Sequence, residues 1–254
     1  MTVRNKLSTA LTVFALSWMA GGAHAGVVIS GTRVIYQAKE REVTVKLGND
    51  GDVPALVQVW LDTGNPNAMP DDSKVPFTLS PPLFRLDPKK GQSLRLIYTQ
   101  EPLPQDKESL FWLNVLEVPP RADTAASSTD PNALQLAFRS RIKLFFRPAG
   151  LPGNADDAAA QIRWKFVRND NGRYALEATN PTPYHVTFSK IVAVDGSTSW
   201  TNDKGGMVDP GASADFEMGN AAPLAVVPAR VDYTFINDYG AGVNGKSLRD
   251  ETGK

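Results

Sequence analysis

The sequence predicts an all-β protein folded as two β-sandwiches. Three observations lead there. Polar and apolar residues alternate with period two in many short runs, the pattern of strands with one wet face. The 19 prolines and 20 glycines are spread along the chain, which suits many strands and turns better than long helices. The 254 residues are long for one sandwich and comfortable for two domains.

The elements follow in order. Residues 42–47 alternate strictly, and residues 55–61, with Trp60, form a more apolar strand. Residues 93–98 and 109–118 are two more, with turn signals at 49–52, 81–82 and 87–91 between them. This spacing of short strands is that of a sandwich. A polar stretch at 121–132 breaks the pattern and is expected to be a mobile loop. A long strand is predicted over 133–146, stopped by Arg147 and Pro148, and residues 149–153 form a linker rich in Gly and Pro. In the second half, strands at 161–168 and 173–179 flank a hairpin turn ending in Gly172. Residues 184–191 and 230–236 are further strands, with a turn at Asp209, Pro210 and Gly211. Residues 154–160 could make at most a short helical turn. The division expected is 1–25, 26–148 and 149–254.

Segment 1–25 reads as a secretory signal. Arg4 and Lys6 supply the positive start, residues 11–20 are apolar, and Ala23, His24 and Ala25 form a small-x-small cleavage site before Gly26. The apolar run is too short to span a bilayer comfortably, and no other segment could. An exported, soluble, cysteine-free product suits a bacterial periplasm.

Composition excludes much chemistry. Twenty-seven basic and 27 acidic residues balance, so nothing suggests bulk attraction to nucleic acid or anionic lipid. Without cysteine there is no disulfide, metal thiolate or cysteine nucleophile. His185 is the one histidine after the signal and is expected at an exposed strand position. A multi-histidine metal site is impossible, and no G-x-S-x-G elbow supports a Ser-His-Asp site. Residues 240–245 match G-x-G-x-x-G, but only nine residues follow, too few for the helix and strand that give the motif its phosphate chemistry. The match reads as chance in a flexible tail. No acid/base pair is visible, so neither catalysis nor a cofactor or metal is expected.

The segment LPQDKESLFWLNVLEVP at 103–119 resembles the signature of the periplasmic pilus (fimbrial) chaperones of chaperone–usher systems. GTRVIY at 31–36, RIKLFFRP at 141–148, NPTPY at 180–184 and INDYG at 236–240 resemble the same family, in its order, over essentially all of the chain after the signal. The resemblance implies two immunoglobulin-like sandwiches in an L or boomerang arrangement. It implies a mechanical function: a pilus subunit lacks its last strand, and the chaperone lends one from its first domain until an outer-membrane usher receives the complex. The loop of about a dozen residues and the missing cysteines resemble the short-loop branch.

The residues are consistent with that role. Leu134, Leu136 and Phe138 share one parity, separated by Ala133, Gln135 and Ala137. A strand over 134–146 would run roughly 40 Å at about 3.3 Å per residue, and a long apolar edge invites pairing with another chain. On pattern alone the same row reads as domain core; the signature tips it towards a donor strand. By resemblance, Arg33 and Lys143 bind the C-terminal carboxylate of the subunit between the domains, where two cations would make charge-assisted bonds. Otherwise they are solvated surface charges. Lys143 has the opposite parity to the apolar row, so the strand bulges or twists, or the two sets serve different faces. Glu108, Arg147 and Asp238 match an ionic cluster between the domains, expected to set orientation more than stability because single surface pairs are worth only about 0–1 kcal/mol. The free chaperone could cap its own exposed edge as a dimer. The rival readings are a structural pilus subunit and a carbohydrate-binding adhesive sandwich; Trp164, Trp200 and Tyr184, the aromatics the latter would need, read better as core.

Overall fold

A computed structural model describes residues 26–72, 74–120, 136–168, 174–218 and 228–248. The signal at 1–25, the loop at 121–132, the turn at 169–172 and Leu134 therefore lie outside the described residues.

The first half contains β1 (Val27–Ile29), β2 (Arg33–Gln37), β3 (Val43–Asn49), β4 (Ala55–Asp62), β5 (Phe77–Ser80), β6 (Leu83–Leu86), β7 (Gly91–Tyr98), β8 (Ser109–Val118) and β9 (Phe138–Arg147). One sheet has the order β1-β3-β7-β5 and the other β2-β9-β8-β4-β6. Between β1 and β2 the chain changes sheets at Gly31, whose φ of 121° is open to glycine at little cost. The sheets enclose Leu94, Leu113, Leu144 and an aromatic group in which Tyr36, Phe77, Tyr98 and Phe146 touch one another. Tyr36 is buried with its hydroxyl satisfied: it lies 3.2 Å and 3.1 Å from the carbonyls of Glu40 and Arg41 and accepts from Tyr98 N–H.

The second half contains α1 (Ala155–Ala158), β10 (Arg163–Arg168), β11 (Tyr174–Thr179), β12 (Val186–Asp195), β13 (Thr198–Asn202), β14 (Gly206–Val208), β15 (Ser213–Glu217), β16 (Arg230–Ile236) and β17 (Gly242–Leu248). The sheet β10-β11-β15 faces the sheet β13-β12-β16-β17, which β14 also joins through β12. Trp164, Phe188, Phe216 and Tyr233 fill this second core, with Tyr184 and Trp200 also buried there. The protein is thus two immunoglobulin-like β-sandwiches, each with its own core.

Both sandwiches use the same buried brace. Asn49 donates to the carbonyls of Val53 and Leu86 and accepts from Gly51 N–H. Asn180 donates to the carbonyls of Tyr184 and Val208 and accepts from Thr182 N–H. The i+2 and i+4 spacings are identical, so one amide ties a turn to a distant strand in each half.

Local alternation placed β8 and β16 at the predicted limits, but β12 runs over Val186–Asp195 rather than 184–191. β9 begins only at Phe138, so that Leu136, inside the strand predicted over 133–146, precedes it. The alternation missed β1, β2, β5, β6, β13, β14, β15 and β17, which are short or rich in glycine and polar residues. The expected flexible tail is corrected most plainly. Gly240 is a turn at φ 82°, and β17 pairs with β16 from Ile236↔Gly242 to Arg230↔Leu248. The G-x-G-x-x-G glycines serve a hairpin: a Cβ on Gly245 would meet the Tyr233 ring at 2.3 Å.

Candidate functional site

The pairing of β9 creates the first part of the site. It runs antiparallel to β8 from Glu117↔Phe138 to Ser109↔Phe146. On its other side β2 lies parallel but covers only Lys143 to Arg147. Among the described residues, 138–142 therefore have a strand neighbour on one side only. The register against β8 is unbroken, so no bulge reconciles the two parities. The even-numbered row carries Phe138, then Ile142, Leu144 and Phe146, which pack into the first core. The odd-numbered row carries Arg139, Arg141 and Lys143 on the opposite face. Leu136 and Phe138 are 52% and 62% exposed. The apolar row is a continuation of the sandwich's own core past the end of its cover.

Arg33 and Lys143 are register partners on neighbouring strands. Arg33 Nη1 donates to the carbonyl of Ile236 at 2.9 Å, and its guanidinium lies over Phe145. Its Nε is buried without a hydrogen-bond partner. Lys143 Nζ is 3.1 Å from Thr187 Oγ1 and lies over Trp112. Burial, and secondarily the charge of Arg33, pushes the Lys143 ammonium down to about 8, against a weaker upward pull from Asp209. Burial also lowers the Arg33 value, opposed by Asp238 and Glu108. Neither cation forms an ion pair among the described residues, and Arg33 lines a cleft together with Phe145, His185, Thr187 and Asp238, with Lys143 bonded at its Thr187 side. Two half-buried, unneutralised cations with an orphan donor form a place where an anion would be welcome.

Glu108, Arg147 and Asp238 are brought together. Arg147 Nε donates to Glu108 Oε1 at 2.7 Å, and its two Nη groups fork onto Asp238 at 2.7 and 2.9 Å. Burial would lower the Arg147 value, but the two carboxylates raise it above the ordinary guanidinium range. The expectation of a surface pair is corrected: the Glu108 side chain is 2% exposed and that of Arg147 12%. His185 is corrected as well. Its side chain is 5% exposed, its backbone N–H and Nδ1 lie 2.8 and 3.1 Å from Glu108 Oε2, and its ring packs on Phe145. Glu108 N–H also donates to the carbonyl of Pro183. One carboxylate from the first sandwich thus holds a strand entry of the second.

Sequence reasoning missed His185, Thr187 and Trp112. A polar/apolar alternation puts His185, just before β12, and Thr187, on it, on one wet face, and nothing local says that the other sandwich covers it. Among the described residues no group of three or more metal-ligating side chains converges, and no helix is long and apolar enough to cross a membrane.

The fold and site define a class: a two-sandwich protein with an open-edged strand in its first half and a cationic cleft between the halves. Comparison with known proteins agrees. Residues 26–152 match the pili and flagellar-assembly chaperone, PapD N-terminal domain, and residues 157–247 match the pili assembly chaperone PapD, C-terminal domain. The chain is 42% identical over 248 residues to the probable fimbrial chaperone YadV of Escherichia coli, covering 97% of this chain and 99% of that one. It is 45% identical over 240 residues to chaperone protein FimB/FhaD of Bordetella pertussis, covering 91% of each. The YadV crystal structure superposes with a TM-score of 0.74 at 40% identity, covering 89% of this chain and all of that one. The SafB chaperone, solved in complex with the SafA pilin of Salmonella enterica, gives a TM-score of 0.69 at 26% identity, over 90% of this chain and 99% of that one. The chain belongs to the PapD-type pilus assembly chaperones.

Proposed function

We propose that this protein is a periplasmic chaperone that holds pilus subunits by strand donation and carries out no catalysis. Membership of a family of pilus assembly chaperones supports the role, and the pilin bound to SafB supports a subunit as partner. It disfavours a structural subunit. A carbohydrate-binding face is disfavoured too, since Trp200 and Tyr184 are buried and Trp164 packs against the second core.

The observation that carries the mechanism is the edge of β9. Phe138 is exposed on a strand segment with one free side, and Arg33 and Lys143 lie further along the same sheet. In the proposed complex the subunit's incomplete sandwich pairs with that edge. Leu134, Leu136 and Phe138 fill its groove, extending the row that begins in the chaperone's own core. Arg33 and Lys143 take the subunit's terminal carboxylate and set the register. Glu108, Arg147 and Asp238 hold the two domains, 26–148 and 149–254, at the angle that keeps the cleft open. Export through the signal at 1–25, delivery to an outer-membrane usher and self-capping of the free edge belong to the same reading.

The test is co-expression with the subunit that co-purifies from periplasm. Lys143→Ala and Leu136→Glu should each abolish subunit recovery while the chaperone stays folded. Normal recovery with the first would defeat the anchor, and with the second the donor row.

A further inference from the structure

The face of β9 opposite the apolar row carries an assembly that, apart from Trp112 beneath Lys143, the anchor and the ionic cluster leave unused. Arg139 stacks over Trp60, with its guanidinium carbon 4.7 Å from the ring centroid, and Arg141 over Trp112 at 4.2 Å. Beneath them is Asp62, whose side chain is 2% exposed. It accepts from Arg141, from Asn114 Nδ2 at 2.7 Å and from Gly64 N–H at 2.6 Å. Arg139 Nε and Nη2 donate to Asn114 Oδ1 at 3.0 and 2.7 Å, and its Nη1 donates to the carbonyl of Pro66 at 2.8 Å. Burial alone would raise the Asp62 value, but its hydrogen bonds hold it below the ordinary carboxylate range.

The placement matters more than the individual contacts. Arg139 and Arg141 lie within 138–142, the part of β9 with one strand neighbour. A strand half-bonded in this way, with an exposed apolar row, has little in its own sheet to hold it extended. The network supplies that hold from the rear, tying β9 across β8 to β4 and the turn after it. Arginine suits the task because its planar fork bonds two groups while its face stacks on indole.

We propose that Trp60, Asp62, Trp112, Asn114, Arg139 and Arg141 act as a splint that keeps the free edge of β9 extended before a subunit arrives. These are positioning residues, acting through the strand they brace. Preorganisation lowers the ordering cost of association, so the splint speeds capture and tightens binding without touching the subunit. This inference rests on the donor reading of β9, and its test separates the two.

The measurement is amide hydrogen exchange over 136–147 in the free full-length protein, alongside capture of the co-purified subunit. Arg139→Gln, on a partly exposed side chain, and Asp62→Asn should each speed exchange of the β8-bonded amides of 138–142 about tenfold. Exchange in β4 and in β16 should stay as in the parent, and capture should slow by a similar factor. Arg139→Lys, which keeps the charge over Trp60 but loses the fork, should fall between. Parent-like exchange at 138–142 in Arg139→Gln overturns the splint, as does faster exchange with capture unchanged. Phe138→Glu is the control for the reading beneath: it should abolish capture with exchange at 138–142 unaltered. Full capture by Phe138→Glu would instead refute the donor reading, whatever the exchange data show.

Discussion

The proposed anchor role of Lys143 predicts that subunit binding depends on pH in a calculable way. Lys143 is held down to about 8 by burial and by the neighbouring Arg33, from an ordinary 10.5. A carboxylate between the two cations would stabilise the charged form and lift that value, so binding takes up a proton wherever the free lysine is neutral. With the free value near 8, about 90% of the free protein carries the charge at pH 7 and about 10% at pH 9. Affinity should then fall about tenfold from pH 7 to pH 9, or ~1.4 kcal/mol. The stability of the free protein should move the other way. Its folded lysine value lies below the unfolded one, so between about 8 and 10.5 the unfolded chain holds more protons. Through that window stability rises with pH, while the cost of the buried charge is fully present below about 8. The assay is calorimetric titration with a synthetic peptide copied from the C-terminus of the co-purified subunit, with a free carboxylate or an amide. Lys143→Arg, charged throughout, should flatten the profile, and the amidated peptide should bind weakly at every pH. A flat profile for the parent, or the same slope in Lys143→Arg, would refute the reasoning.

Other consequences follow from the same geometry. Arg147→Ala strips the partner from Glu108, which is 2% exposed, and should cost about 3–5 kcal/mol in denaturant unfolding, far more than a surface pair; a loss under about 1 kcal/mol would count against a buried pair. The same variant should broaden the distance distribution between the two sandwiches in small-angle scattering, and an unchanged distribution would separate the cluster from domain orientation. Asn180→Ala leaves the carbonyls of Tyr184 and Val208 without their amide donor, and at about 1–3 kcal/mol for such a group it should lower the melting temperature with subunit capture at low temperature retained.

What could be read from the chain alone was whatever depends on near neighbours. Strands at 109–118 and 230–236 are visible because a strand turns its side chains alternately to two faces, and a buried face leaves a period of two. The linker after Pro148 and the motifs carrying the family resemblance are likewise local, so Arg33, Lys143, Glu108, Arg147 and Asp238 could be named without coordinates. The tertiary structure decided which faces and edges were covered. His185 and Thr187 sit in an alternating run like any wet residue, yet the first sandwich closes over one and bonds the other. Leu144 and Phe138 have equal parity and similar chemistry, yet one is sealed in the core while the other projects from it, at the stretch of β9 that β2 does not flank. Covering a residue requires segments more than a hundred positions apart to meet, and no local pattern encodes where a neighbouring strand ends.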